Sequence, residues 1–391
     1  MTSASHAEPT VSDPARAGGQ AAMPSLDLLR SLTDEHVLRA VMEHGRLTRA
    51  EIAAKTGISK PTISESVRRM AVADVLVDTG ERTSGRGRAG SYYTLSDTAG
   101  TALVVSIRPD GVLAEALDPF GTTVSESLVG LDRGVGPHEA ARALGEAARN
   151  VMTGPGAFRL AAVSAADPVD RSSGRLVQLP DAPLLVGNLD PVSVLSPMVS
   201  GPVLVDNDVN WAARAERNAG EGAVDNFVYL HLGEGLGCAV VADGDVTRGH
   251  GGLAGEIAHL VTVGPQGLAM PFTEVFAHLG LRRPGTTAID VDRLKARFDE
   301  RQPAEVDTLQ TVARALSGVI AAAIALADPE EVVMGGRWGR DPRVTDALRD
   351  CLAASPRAVP LRTAIHEDQP DHLGARMHGL AELRNRIATR L

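Results

Sequence analysis

The chain has 391 residues, 43% of them hydrophobic but only 3% aromatic, and a formal net charge of −10. It is too long for one small domain and too apolar to be mainly disordered, and its core must be built from Val, Leu, Ile and Ala. The acidic balance excludes a protein that coats nucleic acid over its whole surface, and two cysteines, Cys238 and Cys351, are too few for a disulfide framework or a Cys-rich zinc site.

No stretch of about 18 apolar residues lacks charge, so no membrane span is expected. Residues 1–25 are rich in Ala, Ser, Pro and Gly and read as a disordered tail rather than a signal peptide. A reducing cytoplasm is the expected compartment.

Residues 26–98 read as a winged helix-turn-helix. A first helix over about residues 34–43 places Val37, Leu38, Val41 and Met42 at helical spacing. The second opens on Thr48-Arg49-Ala50-Glu51, a capping box, and Gly57 supplies the turn. The third starts at Ser59 as N-cap, with Pro61 in the first turn, where no hydrogen bond is lost, and buries Ile63, Val67 and Met70. The second helix of such a pair presents its N-terminal side chains to the major groove. The candidate DNA contacts are Ser59, Lys60, Pro61, Thr62, Ser64 and Arg68, with Glu65 also on the exposed side.

Strands over residues 75–77 and 91–95 flank a wing whose Arg86 and Arg88 would reach the backbone or minor groove. Residues 45–90 hold nine Lys/Arg against five Asp/Glu, net +4 in an acidic chain. That is the local basic patch a phosphate backbone requires.

From residue 99 to 391 apolar runs alternate with helical patterns, the mark of α/β layers. Strands are expected over 103–107, 112–117, 160–163, 203–205, 227–232, 238–242 and 331–334, and helices over 137–152 and 306–327. Three segments stand out: Asp206-Asn207-Asp208-Val209-Asn210-Trp211-Ala212-Ala213, then Gly233-Glu234-Gly235-Leu236-Gly237 leading to Gly255-Glu256-Ile257-Ala258-His259, and last Val333-Met334-Gly335-Gly336.

This order and spacing resembles the ROK family (repressors, open reading frames and kinases), and its repressor branch carries a winged helix in front. The resemblance implies an actin-like sugar-kinase-type domain of two ribonuclease-H-like lobes with a ligand cleft between them. It places Asp208 where family kinases have the base that deprotonates a sugar hydroxyl, with Asn207, Glu256, His259 and Glu274 as further sugar contacts. His259 is equally a plain structural histidine.

Four departures from the family pattern point away from catalysis. Ser106-Ile107-Arg108-Pro109-Asp110-Gly111 replaces a first phosphate loop of Asp-X-Gly-Gly-Thr. Glu234 replaces the Thr of the second phosphate loop, where a carboxylate would repel a triphosphate. No cysteine follows His259, so no zinc site is expected, and Leu268, Met270 and Phe272 are expected to pack in its place. Ser164 to Val169, ahead of Asp170, lacks the glycines that admit a sugar to the backbone.

The expectation is a transcriptional regulator of carbohydrate-related genes, a repressor on family grounds. It would bind an operator in double-stranded DNA as a homodimer or homotetramer and sense a sugar or sugar phosphate, with no catalytic residue, metal or cofactor. The alternatives are a kinase-like domain kept for oligomerisation alone, or an active ATP-dependent sugar kinase.

Overall fold

The computed structural model describes residues 26–84, 89–152, 157–179, 188–219, 224–300, 307–353 and 355–389. The expectations for residues 1–25 and for Arg86 and Arg88 lie outside the described residues.

The first unit is built from α1 (Leu26–His44), β1 (Leu47–Thr48), α2 (Arg49–Thr56), α3 (Lys60–Val72), β2 (Leu76–Arg82) and β3 (Ser91–Leu95), with strand order β1-β3-β2. Local signals fix its corners. Thr48 Oγ1 accepts from the Glu51 N–H at 3.2 Å and Glu51 returns a carboxylate to the Thr48 N–H at 2.8 Å. Gly57 takes the left-handed conformation (φ 71°), and its N–H closes on Ala53 O. Asp34 of α1 is buried and held by Ser66 Oγ and by Arg69 at 2.6 Å, so α1 and α3 are joined by a satisfied polar contact inside an apolar seam.

Two lobes follow. The first contains β4 (Ala102–Arg108), β5 (Gly111–Leu117), β6 (Thr123–Gly130), α4 (Pro137–Asn150), β7 (Leu160–Ala165), α5 (Pro191–Leu195), β8 (Val203–Asn207) and α6 (Asp208–Arg217). The second contains β9 (Phe227–Leu232), β10 (Leu236–Ala242), β11 (Asp245–Val246), the hairpin β12 (Val261–Val263) and β13 (Ala269–Pro271), α7 (Phe272–His278), α8 (Val291–Asp299), α9 (Thr308–Ala327), β14 (Glu331–Gly335), α10 (Pro342–Leu352) and β15 (Leu361–Thr363). α11 (Pro370–Ala388) returns to the first lobe.

The two five-stranded sheets, β6-β5-β4-β7-β8 and β11-β10-β9-β14-β15, have the same order, three antiparallel strands and then two parallel ones. This duplicated mixed sheet is the expected two-lobed α/β architecture.

α9 is long and apolar enough to cross a membrane by length and composition, although a charge interrupts it. It carries Arg314 and buries Val312, Leu316, Val319 and Ile320 in the core of the second lobe, so it reads as a core helix.

α11 ties the units together. Leu383, Ile387 and Ala388 share one core with Val37, Leu38 and Val41 of α1 and with Ala102 and Leu160 of the first lobe. Nearer its start, Gly374 lies so close to α6 that an added Cβ would sit 1.9 Å from Trp211 O. Gly374→Ala must therefore pry two helices apart, and we expect it to lower stability by more than about 3 kcal/mol, read as a lost or strongly shifted thermal transition.

Between β4, β5 and α11 a buried chain runs from Ser106 Oγ to His372 Nδ1 (3.0 Å) and from His372 Nε2 to Glu115 (3.0 Å). Burial alone would raise the Glu115 carboxyl, but hydrogen bonds from His372, Thr123 and Arg376 outweigh it and hold it at about 2. Ser106 has no solvent exposure, so this serine–histidine–carboxylate line is a structural pin and not a nucleophile.

Candidate functional site

Two surfaces qualify. The first is the N-terminal half of α3. Ser59 caps it, accepting from the Thr62 N–H at 3.4 Å and pairing with the Thr62 hydroxyl at 2.7 Å. Ile63, Ser66, Val67 and Met70 face inward. Lys60, Pro61, Thr62 and Arg68 are exposed and Ser64 is half-buried, so one face of the helix is free of the domain core.

Arg68 is held by Glu65 through two bonds of 3.0 and 2.6 Å. Both side chains are mostly exposed, and such a pair exchanges readily for a phosphate. Beside this face, Arg49 stacks on the Tyr93 ring at 4.9 Å and donates to its hydroxyl at 2.7 Å, fixing the start of α2 on the sheet.

The second surface is the cleft between the lobes, a cavity of about 110 Å³ lined by Asp167, Asn207, Asp208, His231, Glu234, Glu256 and His259 among others. Asp208 sits at the first position of α6. Burial, then the charge of Asp371, with Asp167 and Glu256 behind it, push its carboxyl up to about 8, against a 2.8 Å bond from the Val209 N–H. Glu256 is open to the cleft yet enclosed by its walls, and desolvation followed by Asp167 pushes it up to about 7. Burial lowers the His231 imidazole and keeps it neutral. At neutral pH Asp208 is thus a carboxylic acid, able both to donate and to accept a hydrogen bond, as a polyol hydroxyl requires.

The expected sugar contacts separate into three groups. Asp208, Glu256 and His259 reach the cleft with free polar edges. Asn207 also borders it, but its oxygen caps the Val209 N–H at 2.9 Å and its amide donates to Asp167 O (3.2 Å) and Ala165 O (3.4 Å). Glu274 is bound to Arg282 at 3.0 Å, and its neighbour Thr273 borders the cavity instead.

Asp167, His231 and Asp371 were not singled out from the sequence. Asp167 lies inside the glycine-poor Ser164–Asp170 stretch, a usable signal. Asp371 comes from α11 and is anchored by Ser164 Oγ at 3.0 Å, a contact across 207 residues with no local mark.

Two segments were expected to depart from the family's phosphate loops. Arg108 and Gly111 pair directly across a two-residue turn at Pro109-Asp110, and Arg108 donates to Gln369 at 2.7 Å. Glu234 receives Arg133 of the first lobe through bonds of 2.8 and 3.1 Å, and Arg283 of its own lobe at 3.1 Å. The Arg133 bond, aided by Arg283, holds the Glu234 carboxyl below its usual range. With two guanidinium groups on one carboxylate the local charge is not negative, and Arg133 and Glu234 join the two lobes by an ion pair.

Past His259, the β12–β13 hairpin presents no thiolate donors, and a single imidazole does not meet the needs of tetrahedral zinc. Met270 and Phe272 pack inward as expected, whereas Leu268 does not. It is 56% exposed at the hairpin turn, where Gln266 and Gly267 adopt positive φ and swing the chain outward.

The comparisons with known proteins agree with this architecture. The ROK family model matches residues 143–377, and a winged helix-turn-helix DNA-binding model matches residues 30–76. The xylose repressor of Caldicellulosiruptor bescii is 22% identical over 237 residues, 59% of this chain and 59% of that protein. The glucokinase of Halalkalibacterium halodurans is 48% identical over 68 residues, 17% of this chain and 20% of that protein. The chain thus spans about three fifths of the first of these relatives and a fifth of the second. A crystal structure described as a ROK family transcriptional regulator, homologue of the E. coli MLC protein, superposes with a TM-score of 0.63 at 18% identity over 93% of this chain and all of that one. With more than half of its length matched by the family model, and with both lobes and the winged helix in place, the chain belongs to the ROK family.

Proposed function

We propose that this chain is a DNA-binding transcriptional regulator, a repressor of carbohydrate-related genes, whose cleft senses a sugar or sugar phosphate without phosphorylating it. The observation that carries the reading is α3: its inner face is committed to the domain core while Lys60, Pro61, Thr62 and Arg68 stand clear at a capped helix N-terminus. A helix so placed can enter a major groove, and its N-terminal N–H groups favour a phosphate.

The cleft supports the second half. Burial and the neighbouring carboxylates favour the protonated form of Asp208, which suits binding a hydroxyl better than removing its proton. The Glu234 ion pair and the Pro109-Asp110 turn support the non-kinase half of this reading, since the family resemblance assigns phosphate to these two segments. A ligand bridging the lobes would shift the population of closed molecules by its differential affinity for that state, and α11 links the first lobe to the winged helix.

Thermal-shift measurements over sugars and sugar phosphates test the sensing claim, with xylose first because the Caldicellulosiruptor bescii relative is a xylose repressor. A true ligand at 100 times its Kd stabilises by about 2.7 kcal/mol. ADP release with the same sugars should stay at background. Turnover that Asp208→Asn abolishes would make the protein a kinase. The spent side chains of Asn207 and Glu274 favour a second reading, in which the lobes serve assembly alone, and silence across the panel would select it.

A further inference from the structure

We propose that the cavity between the winged helix and the first lobe is a second ligand site, which takes a small organic phosphate. It is separate from the cleft and does not rest on the sugar-sensing reading.

The cavity measures about 400 Å³, against about 110 Å³ for the cleft, and falls in the size range of metabolite pockets. Three parts of the chain wall it: Asp74 and Val75 after α3, Arg159 and Gly201 of the first lobe, and Arg386 and Ile387 near the end of α11. Val75 and Ile387, with Ala73 and Ala99, supply its apolar surface.

Two guanidinium groups stand on this wall against one carboxylate, that of Asp74, in a chain whose net charge is −10. Arg159 is planted at the joint itself. Its Nε donates to Ala99 O at 3.0 Å and its Nη2 to Thr98 O at 2.8 Å. Both acceptors are neutral carbonyls, so these bonds orient the guanidinium without cancelling its charge. Arg386 is held more loosely. Its buried Nε faces Glu382 at 2.9 Å but makes no hydrogen bond with it, and Glu382 lies outside the cavity wall.

Gly201 brings the two arginines together. A Cβ there would stand 2.1 Å from Arg159 O and 3.5 Å from Arg386 Nη1, so any larger residue would hold these segments apart. Neither arginine is needed to close a helix. The Ala73 N–H meets Arg69 O and the Val75 N–H meets Met70 O at the end of α3, and the Thr389 N–H meets Asn385 O at the end of α11, each at 2.9 Å.

A pair of guanidinium groups beside an apolar wall fits a phosphate monoester, whose dianion can meet both while its organic part lies on Val75 and Ile387. A molecule so bound touches the winged helix, the first lobe and α11 at once. It would bias how they seat on one another by its differential affinity for the arrangements.

Calorimetry of the full chain with phenyl phosphate tests the site, because that compound has no sugar hydroxyl for the cleft to bind. It should bind with a Kd below about 1 mM, and benzoate, with a single charge, at least about 10-fold more weakly. Arg386→Gln should weaken phenyl phosphate at least about 10-fold. Ala73→Trp, at an exposed position on the wall, should block it by filling the cavity while both arginines stay in place. No binding of phenyl phosphate, or binding that both variants keep, overturns the proposal, and benzoate binding equally well overturns its assignment to phosphate. Sugar-induced thermal shifts in both variants should match the parent, so this site and the cleft succeed or fail separately.

Discussion

A chain carrying both Lys60→Ala and Arg68→Ala binds duplex DNA at least about 30-fold more weakly than the parent, since each lost contact of this kind is worth about 1–3 kcal/mol. Both side chains are exposed and outside the domain core, so the melting temperature stays within about 1–2 °C. The slope of log K against log salt flattens by about one unit for each phosphate contact removed.

Glu65 supplies an internal control. It now occupies the Arg68 guanidinium through two bonds, and Glu65→Gln should release Arg68 and tighten binding to non-specific duplex. Fluorescence anisotropy at several salt concentrations reads both effects. Unchanged affinity in the double variant would mean that α3 is not in the groove.

Asp208→Asn makes the protein more stable in alkali while keeping its response to sugar. In the folded chain the Asp208 carboxyl titrates at about 8, far above the value of about 3.9 in an unfolded one. Between those values the folded state holds a proton that the unfolded state has released. Stability therefore falls as pH rises from about 4 to about 8, and the penalty is complete above 8. Glu256, pushed up to about 7, adds to the same slope.

Asparagine has no charge to desolvate. The variant should melt about 3–8 °C higher at pH 8.5 and almost unchanged at pH 4.5. The thermal shift produced by any stabilising sugar should largely persist, because an amide, like a neutral carboxylic acid, offers both a donor and an acceptor. A variant less stable at pH 8.5, or one gaining equally at both pH values, would contradict the charge assignment at this site.

The winged helix was legible because its signals are local. The Thr48–Glu51 box, Gly57, Ser59 and Pro61 each mark a helix end without reference to the rest of the chain. Continuous apolar runs marked β9 and the paired β4 and β5 equally well.

The elements that escaped are those whose pattern depends on distant partners. β6 alternates exposed and half-buried residues at a sheet edge, so it lacks a run. α11 contains Gly374 and Gly379, poor helix formers that are needed because Trp211 and Ala162 lie against them. In the cleft, Asp208 and Glu256 were marked by motifs, while Asp371, Arg133 and Arg283 arrive from other elements and carry no sequence mark. Glu234 was legible as a departure from pattern, but the two arginines that hold it required the fold.

Selection of duplexes from a random pool by the full chain at about 150 mM salt tests the central claim most directly. The account predicts enrichment of one motif, an inverted repeat with half-sites about one or more helical turns apart, that the Lys60→Ala, Arg68→Ala chain fails to enrich. A pool that stays random after repeated rounds, or a motif that the altered chain enriches equally well, would contradict it.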